Sequence, residues 1–201
     1  MARKTLDDVK YMIKSSGDDR PPDFEGLDLS GLDLAHFYFR DANLARANLE
    51  KANLTRAKLV NADLRGAVMD NSQLNDANLQ FACLVRASLR EANLSHTWLV
   101  GADLTGADLS WANLSSANIE SGNLARADLS SARLHEANLE NANLRMADLM
   151  RADLSSASLV NARMEGADLR LAKLIGADLT GAMLDGANLT GATMPDGTKH
   201  V

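Results

Sequence analysis

The sequence predicts an all-β solenoid, a chain wound into a coil with its aliphatic side chains stacked along the axis. Three observations predict it. Every fifth residue from Phe24 to Met194 is large and apolar, 35 positions without a slip in register, and 29 of them are Leu. The residue two places earlier is Ala in 28 of the 35 units. The residue between the two is Asp or Asn in 22. A period of five suits neither common regular structure. On an α-helix five residues advance about 500°, so successive leucines scatter about 140° apart. On a straight strand an odd spacing sends them to alternate faces. An extended piece of about three residues followed by a corner, repeated, turns every Ala and every central residue inward.

Taken in chain order, residues 1–21 read as a helix and linker outside the repeat. Thr5 and Asp8 form a capping box with Asp in place of Glu. Leu6, Val9 and Ile13 recur at helical spacing, Gly17 is a stop, and Asp18 to Pro22 is the linker. A lone helix of about ten residues is marginal in water, so its expected role is a lid over the first coil, whose end would otherwise expose leucines and strand edges. Leu27, Leu32 and Phe37 replace Ala in the first units and supply apolar bulk where the lid docks. A helix that binds a partner or a membrane surface is the other reading of this segment. Residues 22–196 are the repeat itself. Within each unit the Asp or Asn side chain suits a bond to a nearby turn amide, and the last two residues face water. Met194-Pro195-Asp196-Gly197 reads as a closing turn, and 197–201 as a tail.

Stretches such as Ala42-Asn43-Leu44-Ala45-Arg46 and Ala102-Asp103-Leu104-Thr105-Gly106 resemble the pentapeptide repeat family, whose unit reads A(D/N)LXX, in its bacterial and cyanobacterial form. The resemblance covers 22–196. It implies a right-handed quadrilateral β-helix with four units, or 20 residues, per coil, and therefore nearly nine coils. At ~4.8 Å per coil the rod would be about 40 Å long. The family's quinolone-resistance proteins dimerise through a C-terminal extension, and with no helix read in residues 197–201 that mode is not expected here. Monomer and end-to-end C-terminal dimer both stay open.

Composition narrows the function. The chain has 27 acidic and 21 basic residues for a net charge of −6, a balance that disfavours direct nucleic-acid binding. The single cysteine, Cys83, rules out an intramolecular disulfide and fits a reducing, cytoplasmic setting. No apolar run reaches the ~20 residues of a membrane span, and no signal-peptide core is present. No catalytic, metal or cofactor constellation emerges and no small-molecule substrate is expected. His36 and His96 occupy one slot three coils apart, about 14 Å, which is too far to share a metal. An axis packed with leucines leaves no internal pocket. The chain is therefore expected to be non-enzymatic and to act through its surface on a protein partner.

Two surface features stand out when outward residues are sorted by side. On one side Val60, Phe81, Trp98 and Val100 fall close together, with Val85 round the corner. Trp98 takes a slot normally held by Asp or Asn, and 78–81 and 98–101 carry no charge. A charge-free aromatic patch is what a binding hot spot needs. On another side Arg46, Arg86 and Arg126 recur every second coil with Gly66 and Gly106 between them, a column able to receive an anionic segment. Met146, Met150, Leu171 and Ile175 form a weaker apolar candidate. The leading reading is an interaction scaffold, a regulatory binding protein like family members that control cell differentiation in filamentous cyanobacteria. The alternatives are a topoisomerase (gyrase) protection protein conferring quinolone resistance, and a structural rod. DNA mimicry, the mode of the resistance proteins, needs roughly 24 charges over 40 Å. The most acidic side here nets −4 and is interrupted by Arg90, Arg151 and Arg170.

Overall fold

The computed structural model of the chain describes residues 3–16 and 21–201. From Asp23 onward the backbone winds as a parallel β-solenoid. Asp23 bridges to Asn43, Asn43 to Asp63 and Asp63 to Cys83, and the same 20-residue offset holds as far as Lys173 and Thr193. Each five-residue unit thus lies over the unit four places earlier. Pairing takes the form of single bridges, and among the described residues no ladder is long enough to make a regular strand. The predicted extended piece is shorter as a ladder than its sequence suggests, because a turn in every unit ends the pairing after one bridged residue.

Backbone hydrogen bonding explains the repeat. In the unit around Leu44, Asn43 N–H donates back to Pro22 O at 3.0 Å and Leu44 N–H forward to Asp63 O at 2.7 Å. Arg46 N–H donates forward to Arg65 O at 2.9 Å, and Ala47 N–H closes the turn onto Leu44 O at 3.0 Å. Only Ala45 N–H lacks a backbone acceptor, and Asn43 Oδ1 takes it at 3.1 Å. A buried or half-buried amide must find a partner, so Asp or Asn recurs two places before that amide. The same bond joins Asp103 to Thr105 and Asn138 to Glu140. Asn side chains also reach along the rod to the coil before, as from Asn143 to Asn123.

The second turn residue is left-handed throughout, with φ between 55° and 65° at 24 non-glycine positions. Each such residue costs about 1–2 kcal/mol locally, so the coil is held by its inter-coil bonds and its core against the turns' own preference. The core is a continuous column of the central residues from Phe24 to Leu174, flanked by the alanines two places earlier.

Helix α1 spans Leu6–Ser15 and has the predicted capping box: Asp8 N–H donates to Thr5 Oγ1, and Thr5 N–H to Asp8 Oδ2. Val9 is 0% exposed and belongs to the same buried cluster as Phe24, with Leu6, Met12, Ile13, Leu27, Leu32 and Phe37 packed against it. The Phe24 and Phe39 rings meet edge-on at 5.5 Å. The proposed stop at Gly17, and residues 18–20 of the linker, lie outside the described residues. At the far end Gly197 N–H closes a turn onto Met194 O. The segment read as a tail folds back instead: Lys199 pairs antiparallel with Thr193, and His200 N–H donates to Ala192 O. Leu179, Leu184, Leu189 and Met194 are only partly covered. Among the described residues no helix is long and apolar enough to cross a membrane.

Candidate docking surface

The 20-residue register places the aromatic patch. Phe81 occupies a left-handed turn position and is 61% exposed; Trp98, at the bridge position of the next coil, is 52% exposed. Phe81 N–H donates to Val100 O at 3.0 Å and Leu79 N–H to Trp98 O at 2.7 Å, so Phe81, Trp98 and Val100 are neighbours across two coils. Val60 shares a column with Val100 but stands two coils away, with Gln80 between them. Val85 sits at the next turn, on the far side of Cys83. The core of the patch is therefore Phe81, Trp98 and Val100.

The valines have a second explanation, which the sequence shows only once the hydrogen bonds are known. Val60, Val85, Val100, Val160 and Ile175 hold the first turn position, and each belongs to a unit in which another residue replaces Asp or Asn: Lys58, Cys83, Trp98, Ser158 and Lys173. There the turn amide loses its side-chain acceptor. A β-branched residue, stiff and suited to extended backbone, takes the place of the lost bond in fixing the turn. The Val100 amide has no acceptor among the described residues. The weight of the patch accordingly falls on Phe81 and Trp98, which no such rule accounts for.

The arginine column lines a shallow groove of about 590 Å³ formed by Arg46, Arg65, Arg86 and Arg126 with Gly66, Gly106, Ala45, Val85, Thr105 and Glu25. The stems of Arg46 and Arg86 each lie across the glycine one coil on, whereas Arg126 is followed by Met146. A Cβ at Gly66 would meet Arg46 Cγ at 3.7 Å, and one at Gly106 would meet Arg86 Cγ at 3.8 Å. Glu25 accepts from Arg46 and from Asn43, and these two bonds hold its carboxyl below the usual carboxylate range, Arg46 contributing most. Arg65 folds back on Asp63, whose carboxyl is likewise lowered. Among the described residues neither Arg86 nor Arg126 makes an ion pair. The groove thus presents two unneutralised guanidiniums in a line with a third.

The second apolar candidate is dispersed. Met150 and Leu171 stand at one turn of neighbouring coils, Met146 at the turn before and Ile175 at the turn after. Met146 continues the arginine column and lies over Gly166, as Phe81 lies over Gly101. This pairing of a large residue with a glycine 20 places later is a signal sequence reasoning passed over. Trp111 is exposed and apart from both patches. Among the described residues no group of His, Cys, Asp or Glu is placed to hold a metal ion.

The pentapeptide repeats family profile matches in 8 copies, over residues 23–59, 52–90, 87–121, 107–145, 132–170 and 147–191. Among solved structures, the chain is similar to HetL, a pentapeptide repeat protein involved in heterocyst differentiation regulation from the cyanobacterium Nostoc sp. strain PCC 7120. Identity is 31%, with 99% of this chain and 100% of that one covered and a TM-score of 0.57. Full-length QnrB1, a plasmid-mediated fluoroquinolone resistance protein, is 20% identical over 87% of this chain and 92% of its own, with a TM-score of 0.39. Rfr23 from the cyanobacterium Cyanothece 51142 is 21% identical over 92% and 95%, with a TM-score of 0.31. Comparison with curated proteins gives no match.

Proposed function

We propose, from the premise that the chain belongs to the pentapeptide repeat family, whose members fold as right-handed β-helices, that it is a non-enzymatic protein-binding scaffold acting in the cytoplasm as a regulatory binding protein. Its body is a quadrilateral coil of nearly nine turns over 22–196, lidded by the helical segment within 1–21 and closed by 197–201; the 20-residue register supports this reading. The likeness to HetL over the whole chain supports a regulatory role.

One observation carries the assignment. Trp98 displaces the Asp or Asn that would accept the Val100 amide, and spends the position on a half-exposed indole beside an exposed Phe81. Other units also lack the Asp or Asn, but here the slot goes to a large aromatic side chain with a second exposed ring on the preceding coil, which has the character of an interface anchor. Partner capture from native cytosol, using the chain and its Phe81→Gly/Trp98→Asn double variant as baits, tests it. Both replacements suit their positions, glycine at a φ of 59° and Asn as the repeat's own residue. A protein held by the parent bait and absent from the variant is expected. The same protein on both baits contradicts the assignment.

A further inference from the structure

We infer that the arginine groove receives an extended acidic segment of a partner protein whose carboxylates recur every third residue. The inference does not rest on the aromatic patch, because the groove lies at a different turn of the coil and is probed by itself.

The groove already holds a model of its ligand. Glu25 sits at one end with its carboxylate on Arg46, which shows that these guanidiniums accept carboxylates in the geometry the coil gives them. Arg86 and Arg126 repeat the arrangement two and four coils further on, and no acid of the described chain answers them. Gly66 and Gly106 keep the intervening positions bare, so the stems of Arg46 and Arg86 lie along the floor. The stretch is locally positive, four arginines against Glu25 and the Asp63 that holds Arg65, on a chain whose net charge is −6. A short acidic segment meets this local field, whereas a long polyanion would be repelled by the acidic rod around it.

Spacing selects the conformation. Arginines two coils apart are separated by about 9.6 Å, twice the ~4.8 Å between neighbouring strands. A polyproline II segment rises ~3.1 Å per residue with three residues per turn, so every third side chain faces the same way at about 9.3 Å. A β-strand presents same-face side chains at about 6.7 or 13 Å, and an α-helix returns to one face at about 10.5 Å after seven residues. The left-handed extended segment fits best.

The test uses the full chain with three seven-residue synthetic peptides. One is Glu-Pro-Pro-Glu-Pro-Pro-Glu, one has the same composition with its three glutamates adjacent, and one carries Gln for every Glu. Binding is followed by NMR at about 50 mM salt, through the Nε–Hε signals of Arg86 and Arg126 in the parent and through the backbone amide signals of Gly66 and Gly106 in parent and variants alike. Each exposed ion pair is worth up to about fivefold in affinity. The spaced peptide should therefore bind more tightly than the clustered one, by up to about fivefold for each further pair it makes, and the Gln peptide should not bind. Arg86→Asn/Arg126→Asn, with residues that tolerate the left-handed backbone, should remove binding while the circular dichroism spectrum stays unchanged. Glu25→Gln should strengthen binding by freeing Arg46. Equal affinity for the spaced and clustered peptides, retention by the double arginine variant, no binding at millimolar peptide, or tighter binding of a single-stranded DNA oligonucleotide at the same arginines would each overturn the inference.

Discussion

The Phe81 ring lies over Gly101 one coil on, so closely that a Cβ at position 101 would stand 2.7 Å from both Cδ1 and Cε1 of the ring. The bare glycine is what allows the ring its place. Gly101→Ala should therefore push Phe81 aside. Gly66→Ala is the matched control, since φ is 65° at 101 and 63° at 66 and its Cβ would meet Arg46 Cγ at an ordinary 3.7 Å. Both should lose about 1–2 kcal/mol to backbone strain in denaturant unfolding, but only Gly101→Ala should weaken partner capture. Equal capture by the two variants would detach Phe81 from binding.

The column of leucines predicts a position-dependent loss. Leu104 is fully buried midway along the rod, whereas Leu184 in the final coil is only partly covered. Leu104→Ala should destabilise by about 2–5 kcal/mol through lost burial and the cavity left behind. Leu184→Ala should lose less than half as much. Urea unfolding of the two proteins measures the difference, and equal losses would argue against a core that thins toward this end.

Acid should loosen the rod through the repeat's own aspartates. Hydrogen bonds from Arg65 to Asp63, from Arg170 to Asp168 and from Thr180 to Asp178 hold these carboxyls below their ordinary value of 3.8. A group whose pKa is lowered by folding contributes stability above its unfolded pKa and loses it as pH falls through the folded value. The melting temperature should thus change little from neutral pH down to about 5 and fall below about 4. Asp178→Asn keeps the acceptor for Thr180 without the titrating proton and should blunt the fall. A variant as acid-sensitive as the parent would place the effect elsewhere.

The helical lid gives a fourth expectation. Thr5→Ala removes the acceptor for Asp8 N–H and should destabilise α1 by about 1 kcal/mol. Val9→Ser places a hydroxyl in the cluster shared with Phe24 and should do more. Hydrogen exchange at the first-coil amides Leu29 and Leu34 should quicken in both variants. Unchanged exchange would show that the helix does not protect that end.

The period of five could be read because every position it uses does one job in all units: Leu fills the axis, Ala lets the chain pass, and Asp or Asn faces the turn. The destination of the Asn43 side chain could be guessed as a turn amide, but not that Ala45 N–H is the one amide the backbone leaves over. That needed the ladder from Asn43 to Pro22 and from Leu44 to Asp63. For the same reason the valines at 60, 85 and 100 read as one patch in the sequence, although each is also tied to a missing acceptor two residues before. Counting by 20 placed Phe81, Trp98 and Val100 together and aligned Arg46, Arg86 and Arg126. It did not show that Glu25 answers Arg46 alone, because side-chain reach is not a periodic property.

Trp98 is the position where stability and binding are set against each other, and substituting it two ways separates them. Trp98→Asn restores an acceptor for the Val100 amide, whereas Trp98→Ala does not, so the Asn variant should be the more stable by about 0.5–1.5 kcal/mol in parallel urea unfolding. Measured on the same two proteins, partner capture should be lost from both. If Trp98→Asn held the partner as the parent does, the indole would be a tolerated surface residue and the docking surface would lie elsewhere on the rod.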